Sequence, residues 1–248
     1  MVNNEFDIKY YEKSFYSLKK NYSNSYQDFD EIYHGPYIKY HDIINKKISK
    51  KSSVLDLCVG DGIHSIILAK ASKDYTAIEP TKSGLEILKS KLDNESITNY
   101  KLVNSKIEKF YTKSTYDFIS IINSTSYFDI TELTRIFRNN LKKGETLIII
   151  DSLRTNPIYR INHLINALRG KRSLKTINRI FTFSGLNHYI NSLDSSSVKT
   201  YYYGSFLFFS ILLKRIGFKR ISKKISTYPK KEGIFNRYSF KFLTIISN

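Results

Sequence analysis

A nine-residue segment in the first quarter of the chain constrains its fold more than any other feature. Residues 54–62 have the sequence VLDLCVGDG, and an apolar stretch with helical character follows over residues 63–70. The apolar start indicates a buried strand, and Gly60 and Gly62 indicate a tight turn before the helix. Because a strand, a glycine-rich turn and a helix open a nucleotide-binding α/β unit, we predict such a unit here.

Strand and helix patterns continue to alternate up to residue 151. This alternation is typical of an α/β fold with a mainly parallel sheet and helices on both faces. The further strands predicted in this part of the chain are 75–79, 101–104, 117–122 and 145–151, and the predicted helices are 83–92 and 131–141.

The second half of the chain departs from this alternation. Residues 152–200 are basic and contain only short apolar pieces, which indicates a partly helical insertion after the fifth strand. A helix at 206–216 is predicted next, and it ends at a glycine. Two strands, 218–226 and 238–247, are predicted to close the chain, and they could pair as an antiparallel hairpin.

The charge balance is strongly basic, with 40 Lys and Arg against 22 Asp and Glu and a net charge of +18. A basic surface of this size could favour nucleic acid, an anionic membrane or a phosphorylated substrate. Lys, Asn, Ile and Tyr are abundant and have A/T-rich codons, so a low-GC genome would give the same composition, and both interpretations stay open. The single cysteine, Cys58, excludes a disulfide scaffold and a Cys-rich zinc site, and we expect no metal.

The location of the protein is predicted from its apolar stretches. The first residues contain no apolar run, so no signal peptide is expected. The longest apolar stretch, SFLFFSILL at 205–213, is about half of the ~20 residues that a membrane-spanning helix needs. We therefore predict a cytoplasmic protein, with a peripheral contact at the inner membrane face left open.

The chain resembles the class I S-adenosylmethionine-dependent methyltransferases in three features. The segment 54–62 is close to the family's turn of alternating glycines, Glu79 lies seventeen positions after Gly62 as the acid that ends the second strand, and the final strand would be the family's antiparallel seventh. The resemblance covers residues 50–151 and 204–247. It implies a Rossmann-like, seven-stranded, mainly parallel sheet with an antiparallel last strand, and S-adenosyl-L-methionine as the cofactor.

The resemblance also implies a donor site. Gly60 and Gly62 would let the backbone approach the methionine part of the cofactor, and Glu79 would accept hydrogen bonds from the ribose hydroxyls. Cys58 stands where the family has its first glycine, which would cost about 1–2 kcal/mol if φ is positive there. The residues expected to bind the cofactor are Tyr33, Asp56, Cys58, Gly60, Asp61, Gly62, Glu79, Pro80, Asn104 and Ser105 (adenine side) and Asn123 (beneath the sulfonium).

The family's organisation divides the chain into four parts. They are a helical lid segment (1–50), the cofactor-binding core (51–151), an insertion that caps the acceptor (152–203) and the C-terminal part of the sheet (204–248). The insertion loosely resembles segments in bacterial methyltransferases of surface-polysaccharide and glycan clusters. This implies a sugar or glycolipid acceptor that could carry a phosphate or be lipid-linked.

Acceptor-side residues are predicted from position and chemistry. Arg154 and Arg160, with Arg169 and Arg172 nearby, could clamp an acceptor anion. A neutral imidazole is a competent base near pH 7, so His34 and His188 are candidate catalytic bases, and Tyr127 is a third catalytic and substrate-binding candidate. The other histidines are predicted to be structural (His64) or on the surface (His41 and His163).

Other functions fit the sequence less well. A dehydrogenase fingerprint would need a third glycine where Ser65 stands, and base-amine methyltransferases carry prolines after the fourth strand, where Asn123-Ser124-Thr125 stands. A nucleic-acid partner is therefore not expected. We predict methyl transfer to a hydroxyl or amine of a small-molecule or carbohydrate-type acceptor. An RNA methyltransferase and a non-catalytic nucleotide-binding scaffold remain the alternatives.

Overall fold

A single seven-stranded sheet organises the protein, whose structure is a computed structural model that describes residues 5–18, 25–230 and 233–248. Its strands are β1 (Ser53–Leu57), β2 (Asp74–Glu79), β3 (Tyr100–Asn104), β4 (Tyr116–Ile122), β5 (Leu141–Ser152), β6 (Ser197–Tyr203) and β7 (Lys241–Ser247). They lie in the order β3-β2-β1-β4-β5-β7-β6, and every pair is parallel except those of β7 with β5 and β6. The predicted Rossmann-like α/β fold, with an antiparallel last strand, is confirmed.

Helices cover the sheet and its edges. They are α1 (Glu5–Leu18), α2 (Gly35–Lys47), α3 (Ser65–Ala71), α4 (Lys82–Asn94), α5 (Ile130–Asn140), α6 (Pro157–Leu168), α7 (Leu174–Arg179), α8 (Phe183–Ser192), α9 (Leu207–Arg215) and α10 (Lys219–Thr227). Within the described residues, none of these helices has the length and apolar character needed to cross a membrane.

The central strands are apolar on both faces because helices pack on both sides of the sheet. Successive side chains of a strand point to opposite faces. On β4, Ile119 belongs to the same buried cluster as Phe137 of α5, whereas Phe118 belongs to a second cluster with Tyr40 and Ile44 of α2. This arrangement buries the strands on both sides and leaves their carboxyl ends free to form a ligand site.

The C-terminal region differs from its prediction. Residues 218–226, predicted as a strand, form most of helix α10, and the sixth strand is instead Ser197–Tyr203, inside the predicted insertion. The two isoleucines of this segment, Ile221 and Ile225, are four positions apart, which suits a helix, whereas SVKTYYY is rich in strand-forming residues. The predicted hairpin is therefore wrong, although β6 and β7 do pair antiparallel across a long connection.

The division of the chain into four parts stays a prediction. The segment after β5 is helical, with α6, α7 and α8, and residues 152–203 also include the strand β6. Among the described residues of 1–50, α1 and Phe29 line the strand ends, whereas α2 buries Tyr40 and Ile44 against the sheet.

Close packing beside the glycine turn gives a stability prediction. Gly62 has φ +75, and a Cβ there would lie 2.5 Å from Leu88 Cδ1 of α4, whereas Gly144 has φ +80 and a Cβ there would meet no atom within 4 Å. We expect Gly144→Ala to lower the free energy of unfolding by about 1–2 kcal/mol, the cost of a left-handed backbone. Gly62→Ala should lose roughly 1–3 kcal/mol more, because Leu88 must also move. Urea unfolding measures both, and equal losses would contradict the packing argument.

Candidate functional site

The turn after β1 is left-handed at alternate residues. Cys58, Gly60 and Gly62 have φ values of 55°, 57° and 75°. A positive φ costs a glycine little, whereas at Cys58 the side chain costs about 1–2 kcal/mol. The turn thus carries backbone strain at one position, and the contacts around it must hold that conformation in place.

Glu79, the last residue of β2, ties this turn to the next strand. Its Oε2 accepts a 2.9 Å hydrogen bond from the Gly60 amide, and its Oε1 accepts from the amide and hydroxyl of Thr81 at 3.0 and 2.7 Å. Burial raises the pKa of Glu79, and the donors from Thr81 and Gly60 oppose the shift. The carboxylate lies in a cavity wall, and Oε2 retains a lone pair for a ligand hydroxyl.

A cavity of about 250 Å³ lies at the carboxyl ends of β1, β2 and β4. This is the edge where open α/β sheets bind ligands. We call it the strand-end cavity. The residues that line it include Cys58, Val59, Gly60, Asp61, Glu79 and Pro80 on one side, Ile107, Glu108, Asn123, Ser124, Tyr127 and Phe128 on the other, and Asp7, Ile8, Tyr11 and Phe15 of α1.

Helix α1 is fastened over the cavity at two points. The Glu12 carboxylate accepts hydrogen bonds from the amides of Lys82 and Ser83, at 2.8 and 3.0 Å, and so caps the N-terminus of α4. Asp7, which is 1% exposed, accepts from the amide and hydroxyl of Ser173 and from the hydroxyl of Thr176. These carboxylates join the lid helix to the cofactor side and to the insertion, so α1 closes over the cavity from both sides.

Three side chains from distant parts of the chain meet at the acceptor end of the cavity. The Tyr127 hydroxyl shares a 2.6 Å hydrogen bond with the Tyr11 hydroxyl and accepts from Arg172 Nε at 3.0 Å and from Nη2. The Arg172 guanidinium also lies over the Tyr127 ring, 4.9 Å from its centroid. Burial raises the pKa of Tyr127 well above its ordinary value and outweighs the lowering by Arg172, so its hydroxyl stays protonated at neutral pH.

A buried lysine supports the residue that follows β4. Asn123 has φ +57, donates from Nδ2 to the Tyr37 hydroxyl at 3.1 Å, and accepts from Lys241 Nζ, which also donates to Tyr37 at 3.0 Å. Burial lowers the pKa of Lys241, but Tyr37, Tyr159 and Asp151 outweigh it, so the net shift is upward and the amine is charged. Asn123 is therefore held rigidly at the cavity wall.

Two further titratable groups line the cavity. Burial raises the pKa of Asp56 to about 6, against the hydroxyls of Ser65 and Tyr75, which each donate to Oδ2 at 2.8 Å. His64, predicted to be structural, stacks on Tyr37 with ring centroids 4.6 Å apart, and burial lowers its pKa to about 3. The imidazole is therefore neutral and too weakly basic to take a proton readily at neutral pH.

The predicted donor residues divide into two groups. Asp56, Cys58, Gly60, Asp61, Glu79, Pro80 and Asn123 line the strand-end cavity, while Gly62 shapes the turn from behind. Tyr33, Asn104 and Ser105 do not line it. Asn104 donates instead to the carbonyls of Glu79 and Pro80, at 3.0 and 2.9 Å, and Tyr33 packs against Phe240. Their role in binding the cofactor stays a prediction, and the structure places these three side chains outside the cavity.

One cavity residue was missed because it lies four positions beyond the end of β3. Both carboxylate oxygens of Glu108 are buried, and neither has a hydrogen-bond partner among the described residues. An unpaired buried carboxylate is costly, so a ligand N–H group would satisfy it. Nothing in the sequence distinguishes Glu108 from the other acids, because the short 3-10 turn Ile107–Lys109 alone aims it inward.

Four of the acceptor-side candidates lie away from the strand-end cavity, and their roles stay predictions. His34 is buried with Nε2 bonded to the Phe29 carbonyl at 2.9 Å, and His188 is exposed on α8. Arg154 donates to Asn178 at 2.9 Å, Arg160 is exposed on α6, and none of the four lines the strand-end cavity. Among the named arginines, Arg172 donates to Tyr127.

Two histidines predicted at the surface are instead enclosed by aromatic rings. His163 is 4% exposed and lies against Tyr159, with ring centroids 4.4 Å apart. His41 is half-buried against Tyr26, at 4.8 Å between centroids. Both predictions are wrong, because the residues around a histidine in the sequence do not show which aromatic ring will cover it in the folded protein.

The chain is similar to known proteins in sequence and in fold. Residues 54–144 match a protein-family model described as a methyltransferase domain, and none of the curated proteins matches the chain. A SAM-dependent methyltransferase structure from Thermotoga maritima is 13% identical, with a TM-score of 0.61 over 97% of this chain and 99% of that one. Geranyl diphosphate C-methyltransferase from Streptomyces coelicolor A3(2), solved with S-adenosyl-L-homocysteine, is 12% identical, with a TM-score of 0.60 over 96% and 97%. An rRNA methylase structure from Streptococcus thermophilus is 15% identical, with a TM-score of 0.54 over 86% and 96%.

These similarities agree with the sequence motifs. At such low identities the solved structures show the shared fold, which is the Rossmann-like methyltransferase fold. The family match adds that residues 54–144 are a methyltransferase domain. The prediction of a methyltransferase domain on a Rossmann-like fold is confirmed. The S-adenosyl-L-homocysteine in the Streptomyces structure is consistent with the predicted methyl donor, whereas the resemblance to glycan-cluster enzymes stays a prediction.

The fastening of α1 can be tested by hydrogen exchange. Glu12→Ala removes the cap from the N-terminus of α4 and one of the two attachments of the lid, at a cost of about 1 kcal/mol. We expect the α1 amides to exchange roughly fivefold faster, with β4 amides unchanged. Lys13→Ala, at an exposed position of the same helix, is the control. Unchanged exchange in α1 of the Glu12 variant would show that this carboxylate does not hold the lid.

Proposed function

We propose that this class I, S-adenosylmethionine-dependent methyltransferase acts on a hydroxyl or amine of a small-molecule or carbohydrate-type acceptor. The observation that carries the proposal is the enclosure of the strand-end cavity beneath α1, which Glu12 and Asp7 fasten on opposite sides. The fastened helix encloses the reacting end of the cavity, which suits an acceptor that presents a compact group.

The polar atoms of the cavity that can still form hydrogen bonds indicate which residues would bind the methyl donor. Glu79 would accept a hydrogen bond from a ribose hydroxyl through Oε2, in addition to the one that it already accepts from the Gly60 amide. Glu108 would accept from the exocyclic amine of the adenine, which would satisfy its buried oxygens. The methionine part would lie along the turn, where Gly60 leaves room for a close backbone approach.

The acceptor would lie between Tyr127, Asn123 and the lid residue Tyr11. Each of these side chains is fixed by a neighbour, since Arg172 holds Tyr127 and Lys241 holds Asn123. Lys241 and Arg172 stand behind these side chains and do not themselves line the cavity, whereas five carboxylates do. The predicted phosphorylated or lipid-linked glycan remains part of the proposal.

Orientation would provide most of the rate enhancement. The donor supplies an activated methyl group, so the protein needs to hold the acceptor atom in line with it, which can contribute roughly 7–11 kcal/mol. The Tyr127 hydroxyl, protonated at neutral pH, would orient the acceptor through a hydrogen bond and would not act as its base. Closure of α1 would exclude water from the reacting groups.

The donor assignment can be tested by calorimetry with S-adenosyl-L-homocysteine. Glu79→Ala should weaken its binding about tenfold to a hundredfold, because one or two hydrogen bonds to a charged group are lost. Glu95→Ala removes a carboxylate that is half-exposed and paired with Lys70, and it should bind normally. Unchanged affinity in a folded Glu79 variant would contradict the assignment of the second-strand acid.

Radiolabelled methyl transfer to a panel of amines, hydroxyl compounds, glycans and RNA separates the alternatives. Turnover on small or carbohydrate acceptors is expected. Turnover restricted to RNA would replace the proposal with the RNA methyltransferase that the +18 charge leaves open. Tight binding of S-adenosyl-L-homocysteine without turnover on any acceptor would instead favour a non-catalytic nucleotide-binding scaffold.

The acceptor end of the site predicts a second variant pattern. Tyr127→Phe and Arg172→Gln should lower kcat/KM for the acceptor about tenfold to a hundredfold, since each removes the hydrogen bonds between them. S-adenosyl-L-homocysteine affinity should change less than about twofold. Arg154→Gln and His188→Ala are controls outside the cavity and should keep full turnover. Full turnover in the Tyr127 and Arg172 variants would remove both residues from the site.

A further inference from the structure

Helices α9 and α10 form a helical hairpin between β6 and β7 that exposes large apolar side chains. We call residues 207–227 the C-terminal hairpin. Six of its apolar side chains are between 46% and 59% exposed, and they are Phe208, Phe209, Leu212, Ile216, Phe218 and Ile221. Phe208, Phe209 and Leu212 lie on α9, with Leu212 four and three residues after the two phenylalanines, and Ile216 caps the helix four residues later. These four side chains therefore form one apolar stripe.

The interior of this hairpin contains small polar side chains. Ser210, Ser222 and Ser226 are fully buried at 0% exposure, and the Ser222 hydroxyl donates to the Ser210 carbonyl at 2.6 Å. Helices in water normally bury their large apolar residues and expose their serines. Small residues at the helix contact and large apolar residues outside are instead the packing used where the surroundings are apolar.

The charge of the same segment is strongly positive. Between Gly204 and Lys230 there is no Asp or Glu, and the cations are Lys214, Arg215, Lys219, Arg220, Lys223, Lys224 and Lys230. Lys214 pairs with Asp30 and Lys223 pairs with Glu31, at the start of the short 3-10 turn Glu31–Tyr33. Arg215, Lys219, Arg220 and Lys224 are exposed beside the apolar stripe.

We propose that the C-terminal hairpin docks on an anionic membrane surface. Interfacial helices combine an apolar face that enters the boundary between headgroups and acyl chains with lysines and arginines that meet anionic lipid headgroups. The exposed phenylalanines supply the first component, and the four exposed cations supply the second. The predicted contact at the inner membrane face of a cytoplasmic protein is thereby assigned to a particular surface.

A membrane fits this surface better than two other occupants. In a symmetric dimer of the hairpin, the same patch would face itself across a two-fold axis, and the cations would meet one another. RNA would match the cations, but it offers no apolar layer for the aliphatic side chains of Leu212, Ile216 and Ile221. Only an anionic bilayer satisfies both the charge and the apolar stripe.

The C-terminal hairpin begins at the end of the sheet where the parallel strands have their carboxyl ends, which is also where the strand-end cavity lies. Tyr203, which ends β6, pairs in register with Lys241, and Lys241 donates to Asn123 in the cavity wall. A protein docked through the hairpin would therefore hold this edge close to the bilayer. A lipid-linked acceptor would then be within reach, a consequence that rests on the proposed function, whereas the docking itself does not.

Vesicle flotation tests the docking directly. The full chain should bind vesicles of phosphatidylcholine with phosphatidylglycerol and should bind pure phosphatidylcholine at least about tenfold more weakly. Phe208→Ser combined with Phe209→Ser, and Lys219→Glu combined with Arg220→Glu, should each weaken binding to the anionic vesicles by about tenfold or more. Tyr111→Ser and the pair Lys50→Glu with Lys51→Glu, at exposed positions outside the hairpin, are matched controls.

The remaining outcomes each decide against the proposal. Equal binding to neutral and anionic vesicles, or no binding to either, would overturn it. Sedimentation velocity that shows a dimer lost in the phenylalanine variant would assign the surface to a second copy. RNA binding lost in the charge variant, without vesicle binding, would assign it to nucleic acid. Methyl transfer to a soluble acceptor should be unchanged in both hairpin variants, so failure of docking is distinguishable from failure of the proposed function.

Discussion

The hydrogen bond from the Gly60 amide to the Glu79 carboxylate joins the two parts of the chain on which the donor site depends. It connects the left-handed turn after β1 with the end of β2, and Thr81 occupies the other oxygen. With this bond in place the turn can sustain the positive φ of Cys58. The same carboxylate forms part of the cavity wall, so one buried acid both stabilises the turn and presents an acceptor to the ligand.

Residues near this bond are predictable from sequence because their function is local. The spacing of Gly60 and Gly62, and the acid at the end of β2, specify a turn that can be recognised without knowing the rest of the fold. Tyr11 and Glu108 could not be predicted in the same way, and Arg172 was indicated only as one of several arginines in the insertion. Tyr11 and Tyr127 are 116 positions apart and meet only through tertiary packing, and the short turn that directs Glu108 inward has no sequence signature of its own.

The errors in the C-terminal region have a common physical cause. The apolar residues of 218–226 recur at helical spacing, but Phe218 and Ile221 are exposed whereas Ser222 and Ser226 are buried. A prediction that assumes that large apolar residues are buried therefore assigns the wrong secondary structure to this segment. The tyrosines that end β6 favour a strand, but the long basic segment before them favours an insertion. The mainly parallel sheet itself was predictable, since β4 and β5 are continuous apolar runs that need cover on both faces.

Helix α1 covers the strand-end cavity and is also the element past which ligands must enter it. Helix α1 must open for the donor and acceptor to enter, because Asp7, Tyr11 and Phe15 line the cavity that they cover. Its fastenings are hydrogen bonds to the Glu12 and Asp7 carboxylates, and water would have to replace them when the helix opens. Lys241 and Arg172 hold Asn123 and Tyr127 on the wall opposite α1. The structure thus combines a fixed acceptor wall with a removable roof, which is the arrangement that a reaction needing both ligand exchange and exclusion of water requires.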